Sequence, residues 1–504
     1  MPGLCALAVL LLATASPALS AGLFAPDLNW RTLNTPHFSI HYHDGLSATA
    51  LQVAELAESV HSRQSARLNW TPKNRTHMVL NDLTDQANGF AIPFPSNTMV
   101  LNLTAPDGDT HTLLNQRDWL YTLLLHEYTH ILHLDQARGA PRILRTLFGR
   151  FPLFFPNLFN PPWMIEGLAT LEETRGTGGG RGRGALKAGL LRTQAAEGRL
   201  RPLDAASHPV STWPGGSMPY LYGVSFLEDV ARRYGDDIPT RLAETYSRNL
   251  VPFLVSDNFR SGVGQPLSGA WNDWQTGLMI EASAASARLK PPAIPERLTF
   301  SGYYTGGARV APDGRIAFTG RTPHDHDRIL LLGETNAPPG ELAWRNGGRG
   351  LSWSADGRSL LFSQPEYADS YRLYDDLYRL DTDTAKVRRL THGARLREPD
   401  VAPDGQIVAV HNGSPAPGAT TLVLLNEAGA GFKMTPLLES GPDAVFSHPR
   451  FSPDGRQVAV SVSRSGGRRD IARVDTESGV VTFVTDDDAQ DADPAWSPDG
   501  GYLL

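Results

Sequence analysis

A short turn motif recurs at nearly regular intervals through the second half of this sequence. Its five copies, each Ser or Ala followed by Pro or Ala and then Asp-Gly, occupy residues 311–314, 354–357, 402–405, 452–455 and 497–500. The aspartates are 43, 48, 50 and 45 residues apart. Pro presets φ for a turn, Asp bonds to the backbone, and Gly accepts a positive φ, so each copy predicts a tight turn between two strands. A period near 45 residues with several short strands per unit is typical of β-propeller blades.

This repeat resembles the propeller of TolB-like periplasmic proteins, whose blades carry a Ser/Ala-Pro-Asp-Gly turn. The resemblance covers residues 298–504 and implies a ring of six or seven blades. The sequence contains four units and the beginning of a fifth. Because natural proteins avoid unpaired sheet edges, we expect either a fragment of a longer protein, truncated in the fifth blade, or a ring that a partner completes.

The region before the propeller has a different pattern. Short alternating stretches at 38–42 and 76–80 predict strands, and longer stretches at 117–137 and 222–234 have helical spacing. Strands followed by helices predict an α+β domain over residues 21–290. A Pro-rich stretch, 291–297, is the expected linker to the propeller. The predicted fold class is therefore multidomain, an α+β domain followed by an incomplete all-β propeller, in keeping with a length of 504 residues.

The first twenty residues predict a secretory signal peptide. An unbroken apolar run at 4–13 is followed by small residues up to position 20, and this run is short for a membrane span. An uncleaved anchor is the alternative. We expect a periplasmic or secreted protein. The single cysteine, Cys5, lies inside this segment, so a metal in the mature chain must be held by His and carboxylates.

The strongest chemical signal is the sequence His126-Glu127-Tyr128-Thr129-His130. Two histidines four residues apart lie on one face of a helix, where both rings can bind a single zinc ion. Glu127 is then placed to take a proton from water. The alternative is a surface helix with two unrelated histidines, and the apolar residues around the motif argue against it. The net charge of −7 does not suggest a nucleic-acid partner.

A catalytic zinc needs a third protein ligand. His133 is close in sequence but about 10 Å from His126 along a straight helix axis, so we expect a supporting or surface role for it. Glu166, in the apolar sequence Trp163-Met164-Ile165-Glu166, is the better candidate. A Glu on the solvated side of that helix is the alternative.

The His126-Glu127-x-x-His130 motif with the downstream Trp163-x-x-Glu166-Gly167 resembles the gluzincins, the clan of thermolysin-type and aminopeptidase-type metallopeptidases. The resemblance implies a zincin-like fold and one Zn²⁺ bound by His126, His130 and Glu166, with Glu127 as general base. It implies an oxyanion donor on a later helix, for which Tyr222 is the first choice and Tyr220 the substitute. A buried structural tyrosine is an equal alternative for both.

Two further segments bear on that resemblance. Residues 88–93 and 97–101 resemble the edge strand that pairs with peptide substrate in this clan. The interval between His130 and Glu166 is longer than in the best-known members, and residues 142–156 within it are apolar and partly basic. This insertion predicts a lid, a patch that contacts a membrane or a partner, or a packed insertion, and the last is favoured. The glycine-rich residues 176–184 predict a mobile loop rather than a phosphate site.

The expected function is an exported zinc peptidase acting on a peptide or protein substrate, with the propeller as a docking or gating module. The alternative is an envelope interaction protein in which the propeller binds a protein partner and the first domain is a scaffold without catalysis. The complete set of His126, Glu127, His130 and Glu166 favours the enzyme, because a scaffold has no need of the base.

Overall fold

The computed structural model describes most of the chain. It describes residues 24–106, 119–177, 179–208, 215–288, 296–300, 303–322, 324–333, 337–348, 350–413, 418–429, 431–441, 444–464 and 468–504. The expected signal peptide, residues 1–20, and residues 291–295 of the expected linker lie outside these ranges. A sheet followed by helices forms the first region, and further sheets form the second. The multidomain organisation is therefore confirmed.

The first region begins with a five-stranded mixed sheet in the order β1-β2-β3-β5-β4. Its strands are β1 (Trp30–Asn34), β2 (Phe38–His43), β3 (Thr76–Asn81), β4 (Gly89–Ile92) and β5 (Thr98–Asn102). The strands predicted at 38–42 and 76–80 are β2 and β3. Of the two segments predicted to resemble an edge strand, residues 88–93 contain β4, which pairs antiparallel with β5 at the margin of the sheet. Residues 97–101 belong to β5, which pairs with β3 on its other side and is therefore an inner strand, so this part of the prediction is wrong.

Nine α-helices follow or interleave with this sheet in the described part of the chain. They are α1 (Ser47–Arg67), α2 (Trp119–Asp135), α3 (Gly139–Phe148), α4 (Pro162–Thr177), α5 (Ala185–Ala196), α6 (Met218–Tyr234), α7 (Ile238–Tyr246), α8 (Val255–Val263) and α9 (Leu267–Ser286). Two short 3-10 helices, Pro152–Phe154 and Pro156–Phe159, lie between α3 and α4. The helix predicted at 117–137 is α2, and the one predicted at 222–234 is α6, which begins four residues earlier than expected.

Two apolar cores hold this region together. In the first, α1 and α2 pack on the sheet through fully buried side chains such as Met78, Leu101 and Leu125. In the second, α4, α6 and α9 pack around Trp163, Phe226 and Trp271. Helix α2 belongs to the first core and α4 to the second, but the two helices also contact each other. Any site built from both helices therefore lies at the seam between the two cores.

The helices α4 and α6 cross at a pair of glycines. A Cβ atom on Gly223 would lie 2.2 Å from the carbonyl oxygen of Trp163 and 2.8 Å from the Cα of Gly167. A Cβ on Gly167 would lie 2.6 Å from the carbonyl carbon of Gly223. These distances are too short for any side chain, so the two backbones are in direct contact and their separation is fixed.

The second region contains four four-stranded antiparallel sheets, each a meander in sequence order. The strands of the first two sheets are β6 (Tyr304–Val310), β7 (Ile316–Arg321), β8 (Arg328–Leu331), β9 (Gly340–Trp344), β10 (Leu351–Trp353), β11 (Ser359–Tyr367), β12 (Leu373–Asp381) and β13 (Val387–Arg389). Those of the last two are β14 (Leu396–Val401), β15 (Ile407–His411), β16 (Thr421–Ala428), β17 (Gly431–Glu439), β18 (Ala444–Phe451), β19 (Gln457–Arg464), β20 (Arg468–Asp475) and β21 (Val481–Phe483).

These sheets are arranged as the blades of a β-propeller. The first strands of neighbouring sheets, β6, β10, β14 and β18, lie next to one another, so the sheets surround a common axis. Each apolar cluster of this region is shared by two successive sheets; Leu361 of the second, for example, packs with Leu396 of the third. An isolated bridge between Trp496 and Leu503 follows the fourth sheet. The propeller predicted from the repeat is confirmed.

The five repeated motifs form the predicted turns. In each of the first four, the turn joins the first and second strands of a blade, and its glycine has a φ between 68° and 91°. The aspartate accepts a hydrogen bond from a backbone amide two residues later, as Asp313 does from Arg315 at 3.1 Å. The side chain therefore closes the turn while glycine supplies the positive φ.

The two regions are joined by a buried polar contact. The segment between β3 and β4 forms a parallel bridge from Thr84 to Leu373, the first residue of β12. Arg395, just before β14, donates to Asp85 at 2.8 Å and pairs with Asp82 at 2.9 Å. These propeller residues lie at the strand ends opposite the repeated turns. The first region therefore sits on the propeller face away from those turns.

Among the described residues, no helix is both long enough and apolar enough to cross a bilayer.

Candidate metal centre

Helix α2 places the motif His126-Glu127-Tyr128-Thr129-His130 in the interior of the first region. Its residues from Trp119 to Asp135 are buried on almost every side, because the sheet, α1 and α4 surround it. His126, Glu127 and His130 are each 6% exposed or less. Burying three ionisable groups this deeply is costly unless they are paired or bound to a cation, which points to a role beyond packing.

The third expected ligand comes from α4. The Nε2 atoms of His126 and His130 are 3.1 Å apart. The Oε2 atom of Glu166 lies 3.4 Å from the first and 3.3 Å from the second. The structure therefore brings together the three residues that the sequence pattern proposes as metal ligands, and these ligand atoms lie within 4.8 Å of one another.

The spacing of these atoms fits a tetrahedral metal ion. Ligands about 2.0–2.1 Å from a shared tetrahedral centre stand about 3.3–3.4 Å apart, and zinc is the ion bound in that way by nitrogen and oxygen. Glu166 Oε2 is buried and has no hydrogen-bond partner among the described residues. Burial raises the pKa of Glu166, but the two imidazoles outweigh that effect and hold it well below its usual range. The residues present fit a zinc ion.

Behind His126, a buried ion pair fixes the orientation of the ring. Its Nδ1 atom lies 3.1 Å from Glu173 Oε2, and Arg181 Nη2 bonds to the same oxygen at 2.7 Å. Burial raises the pKa of Glu173, yet Arg181 and His126 lower it to about 2. Glu173 and Arg181 together hold the Nδ1 side of the ring, since Arg181 Nη2 also lies 2.6 Å from Nδ1 itself. The Nε2 atom of the ring is turned towards His130 and Glu166.

Glu127 lies on the wall of the cleft. This cleft, of about 340 Å³, is lined by the ligand residues, by Gly89 and Phe90 of β4, and by Arg181 and Tyr220. Glu127 Oε2 has no hydrogen-bond partner in the described part of the chain, and burial raises the pKa of its carboxyl to about 7. A Cβ on Gly89 would lie 2.9 Å from Glu127 Oε1, so only glycine lets β4 approach the carboxylate this closely.

The structure corrects the first choice of tyrosine. Tyr222 is buried, donates to Gln194 at 2.6 Å and accepts from the Arg201 amide at 3.1 Å, so it belongs to the core. Tyr220 lines the cleft, and its ring stacks 6.2 Å from that of His126. Residues two apart on a helix point in nearly opposite directions, so only one of the pair can face the metal site. Burial and the charge of Glu166 raise the pKa of Tyr220.

His133 is buried instead of lying at the surface. Its Nε2 atom contacts Asn160 Nδ2 at 3.0 Å, and burial lowers its pKa to about 3. It stands apart from the three ligand atoms, as the helix geometry predicts.

Two residues behind the ligands were not predicted to have a role. Glu173 lies seven residues after Glu166 on α4, and Arg181 lies in the glycine-rich segment that is predicted to be a mobile loop. That segment is packed on α4: Gly180 and Gly182 lie against Thr174 so closely that a Cβ on either would clash. The glycines therefore allow close approach, which brings Arg181 to Glu173.

Comparisons with known proteins find individual proteins that are similar to this chain, but they assign it to no family. No family model matches the chain. An uncharacterized protein of Treponema pallidum (strain Nichols) is 27% identical over 344 residues, which cover 66% of this chain and 29% of that protein. The chain therefore spans less than a third of that relative's length.

The solved structures that are similar match about two fifths of the chain. TolB from Acinetobacter baumannii has a TM-score of 0.34 at 20% identity, over 40% of this chain and 48% of that one. A putative TolB from Agrobacterium tumefaciens has a TM-score of 0.32 at 22% identity, over 38% and 72%. A prolyl endopeptidase has a TM-score of 0.27 at 18% identity, over 36% and 29%.

Proposed function

We propose that this chain is an exported zinc peptidase of the gluzincin type, with His126, His130 and Glu166 as metal ligands. The observation that carries the proposal is the triangle of Nε2, Nε2 and Oε2 atoms with sides of 3.1 to 3.4 Å. A zinc ion held there would supply Lewis-acid chemistry, lowering the pKa of water and polarising a carbonyl.

In this proposal Glu127 is the general base and acid that transfers the proton of the attacking water. Glu127 lines the cleft, and its Oε2 has no hydrogen-bond partner among the described residues. There the carboxylate takes a proton from the attacking water and delivers it to the leaving nitrogen as the peptide bond breaks. Burial raises the pKa of this carboxyl, which favours its acceptance of the proton. The Tyr220 hydroxyl donates a hydrogen bond to the oxygen that becomes negative during the attack.

Strand β4 is the proposed binding site for the substrate. It is hydrogen-bonded to β5 on one side, and its residues Gly89, Phe90 and Ala91 line the cleft. An extended peptide can add to such an edge by main-chain hydrogen bonds. The peptide would then run past Glu127, which adjoins Gly89.

The test is the substitution Glu127→Gln. We expect the variant to bind one zinc ion per chain, because Glu127 is not a ligand, and to cleave peptides about 10²–10⁴-fold more slowly than the unmodified protein. Metal analysis and cleavage of a peptide library measure the two properties. Cleavage by the variant at the unmodified rate would contradict the role of Glu127.

A second candidate function is an interaction protein built around the propeller, with the first domain as a scaffold. It is favoured by the buried contact between the two regions, in which Arg395 joins Asp82 and Asp85. Absence of cleavage by the unmodified protein at full zinc occupancy would select this candidate.

A further inference from the structure

An exposed apolar surface lies on the segment between α2 and α4. Helix α3 turns Ile143, Leu147 and Phe148 outward, and they are 61%, 69% and 71% exposed. Phe151 and Leu153, in the turn that follows, are also more than half exposed. We call these five residues the α3 patch. Soluble proteins rarely leave so many large apolar side chains together in water unless they contact a partner or a membrane.

The opposite side of the segment is firmly held. Arg145 donates to the Asp135 carbonyl at 2.7 Å, and Arg150 pairs with the Asp135 carboxylate at 3.0 Å. Both guanidinium groups lie over the ring of Phe155, at 3.9 and 4.8 Å from its centroid. These polar contacts on the inner side of the segment therefore fix the patch facing outward.

A second exposed apolar segment contacts the chain between α3 and α4. Leu250, Val251 and Phe253 are each more than half exposed, with Phe253 at 74%. The ring of Phe253 packs 5.8 Å from that of Phe159, which belongs to the same inter-helix segment as the patch.

The segment that carries this surface has a positive charge in its sequence, unlike the whole chain. No Asp or Glu occurs between Asp135 and Glu166, whereas that interval contains four arginines, at 138, 142, 145 and 150. Arg142 is exposed and lies one residue before Ile143. The full chain carries a net charge of −7. Arg138, Arg145 and Arg150 pair with Glu244 or Asp135, so Arg142 is the cation exposed beside the patch. An apolar face with an exposed arginine and no carboxylate in its own segment matches a surface of anionic lipid headgroups over acyl chains.

A second copy of the chain fits this surface less well. In a two-fold interface the patch would face itself, so Arg142 would approach its own counterpart in a stretch without a carboxylate. An anionic bilayer offers the opposite charge and accepts apolar side chains without a matching shape.

We propose that the α3 patch docks the protein on the surface of a bilayer that contains anionic phospholipid. Helix α3 lies in the interface, with Leu147, Phe148 and Phe151 in the acyl boundary and Arg142 among the headgroups. Arg150 also bonds to the Pro95 carbonyl at 2.9 Å, in the loop between β4 and β5. Docking therefore brings the edge strand of the cleft close to the membrane surface.

The experiment is co-sedimentation of the full chain with vesicles, which requires no peptidase activity. We expect binding to vesicles of phosphatidylcholine mixed with phosphatidylglycerol, and weaker binding to phosphatidylcholine alone. The double substitution Leu147→Ser and Phe148→Ser should reduce the partition coefficient at least about tenfold, because two large apolar side chains no longer enter the lipid. Arg142→Glu should remove most of the preference for the anionic vesicles.

The matched control is Ile280→Ser on α9, an apolar residue that is 65% exposed outside the patch; it should bind vesicles as the unmodified protein does. Thermal unfolding checks that all variants are folded. Three outcomes overturn the proposal: no binding of the unmodified protein to either vesicle, undiminished binding of the double variant, or a dimer in light scattering that the double variant abolishes. None of them depends on whether peptides are cleaved.

Discussion

Tyr220 and Tyr222 are chemically identical and two positions apart, yet they have different surroundings. Tyr220 faces the cleft beside His126, whereas Tyr222 holds Gln194 and the Arg201 amide within the second core. The rotation of α6 alone decides which of them can reach a substrate. This separates a role in catalysis from a role in stability.

We therefore predict opposite consequences for the two tyrosine-to-phenylalanine substitutions. Tyr220→Phe should lower kcat about 10²–10³-fold with zinc content unchanged, because one oxyanion donor is lost. Tyr222→Phe should leave kcat unchanged and lower the free energy of unfolding by about 1–3 kcal/mol, because Gln194 and the Arg201 amide lose a buried partner. Peptide cleavage and urea unfolding measure the two effects. Equal losses of kcat in both variants would contradict the assignment.

Glu173 is not one of the proposed metal ligands but contacts one of them, His126. Its substitution by Gln removes the carboxylate that contacts His126 Nδ1 and pairs with Arg181, so we predict a zinc affinity about 10–100-fold lower. Competition with a chelating dye measures the affinity, and circular dichroism checks the fold, since Arg181 loses its counter-charge. Glu244→Gln, on α7 and remote from the site, is the control. Unaltered zinc affinity in a folded Glu173→Gln protein would show that the ring of His126 needs no such support.

At the scale of elements, the crossing of α4 and α6 sets the site's dimensions. Helix α4 carries Glu166 and α6 carries Tyr220, and Gly167 and Gly223 bring their backbones into contact. The glycine pair thus fixes the distance between a metal ligand and the candidate oxyanion donor.

We predict that Gly223→Ala lowers the free energy of unfolding by about 1–3 kcal/mol, because the added methyl group forces the helices apart. The same change at Gly189 on α5 is the control: a Cβ there meets nothing within 4 Å, so alanine should raise helix stability by about 0.5–1 kcal/mol. Chemical unfolding of both variants gives the comparison. A neutral Gly223→Ala would mean that the crossing can widen freely.

What the sequence predicts here follows from local spacing. The four-residue interval between His126 and His130 and the repeated Asp-Gly turns each lie within one element, so a helix or turn geometry suffices to interpret them. Glu166 was found through its apolar neighbours, which a solvated glutamate would not have. Counting helix rotation between Tyr220 and Tyr222 shows that they face opposite ways, but not which one faces the metal.

The contacts that the sequence did not predict are formed where different elements pack together. Arg181 reaches Glu173 only because two glycines let its segment lie against α4, and Arg395 meets Asp85 across 310 residues of chain. No periodicity or spacing in a single sequence records such contacts. The zinc ligands could therefore be proposed from the residues, whereas the support of the site and the joint between the regions could not.

At the scale of the whole molecule, the joint between the two regions includes buried charge and main-chain hydrogen bonds beside an apolar contact of Val445 with the first core. The side chain of Asp85 is 1% exposed where it meets Arg395, and the Leu373 amide donates to the Leu83 carbonyl at 2.9 Å. Removing one partner of a buried ion pair costs about 3–5 kcal/mol, which is large beside the stability of a typical domain.

We predict that Arg395→Ala separates the unfolding of the two regions. Scanning calorimetry of the unmodified chain should give one coupled transition, and the variant should give two, with the first at a lower temperature. Arg372→Ala is the control, since its partners Asp27 and Asp369 are more exposed. A single unchanged transition in Arg395→Ala would show that the regions are coupled elsewhere.

The Thr84–Leu373 bridge has a practical consequence for anyone who wishes to produce the two halves separately. A cut at the Pro-rich stretch would look harmless in the sequence, yet it would strip Asp85 of its cation and leave a strand end of each half facing water. Either half expressed alone would then expose a face with an unpaired charge and unpaired hydrogen-bonding groups. Recombinant work on this protein is therefore better begun with both halves in one chain.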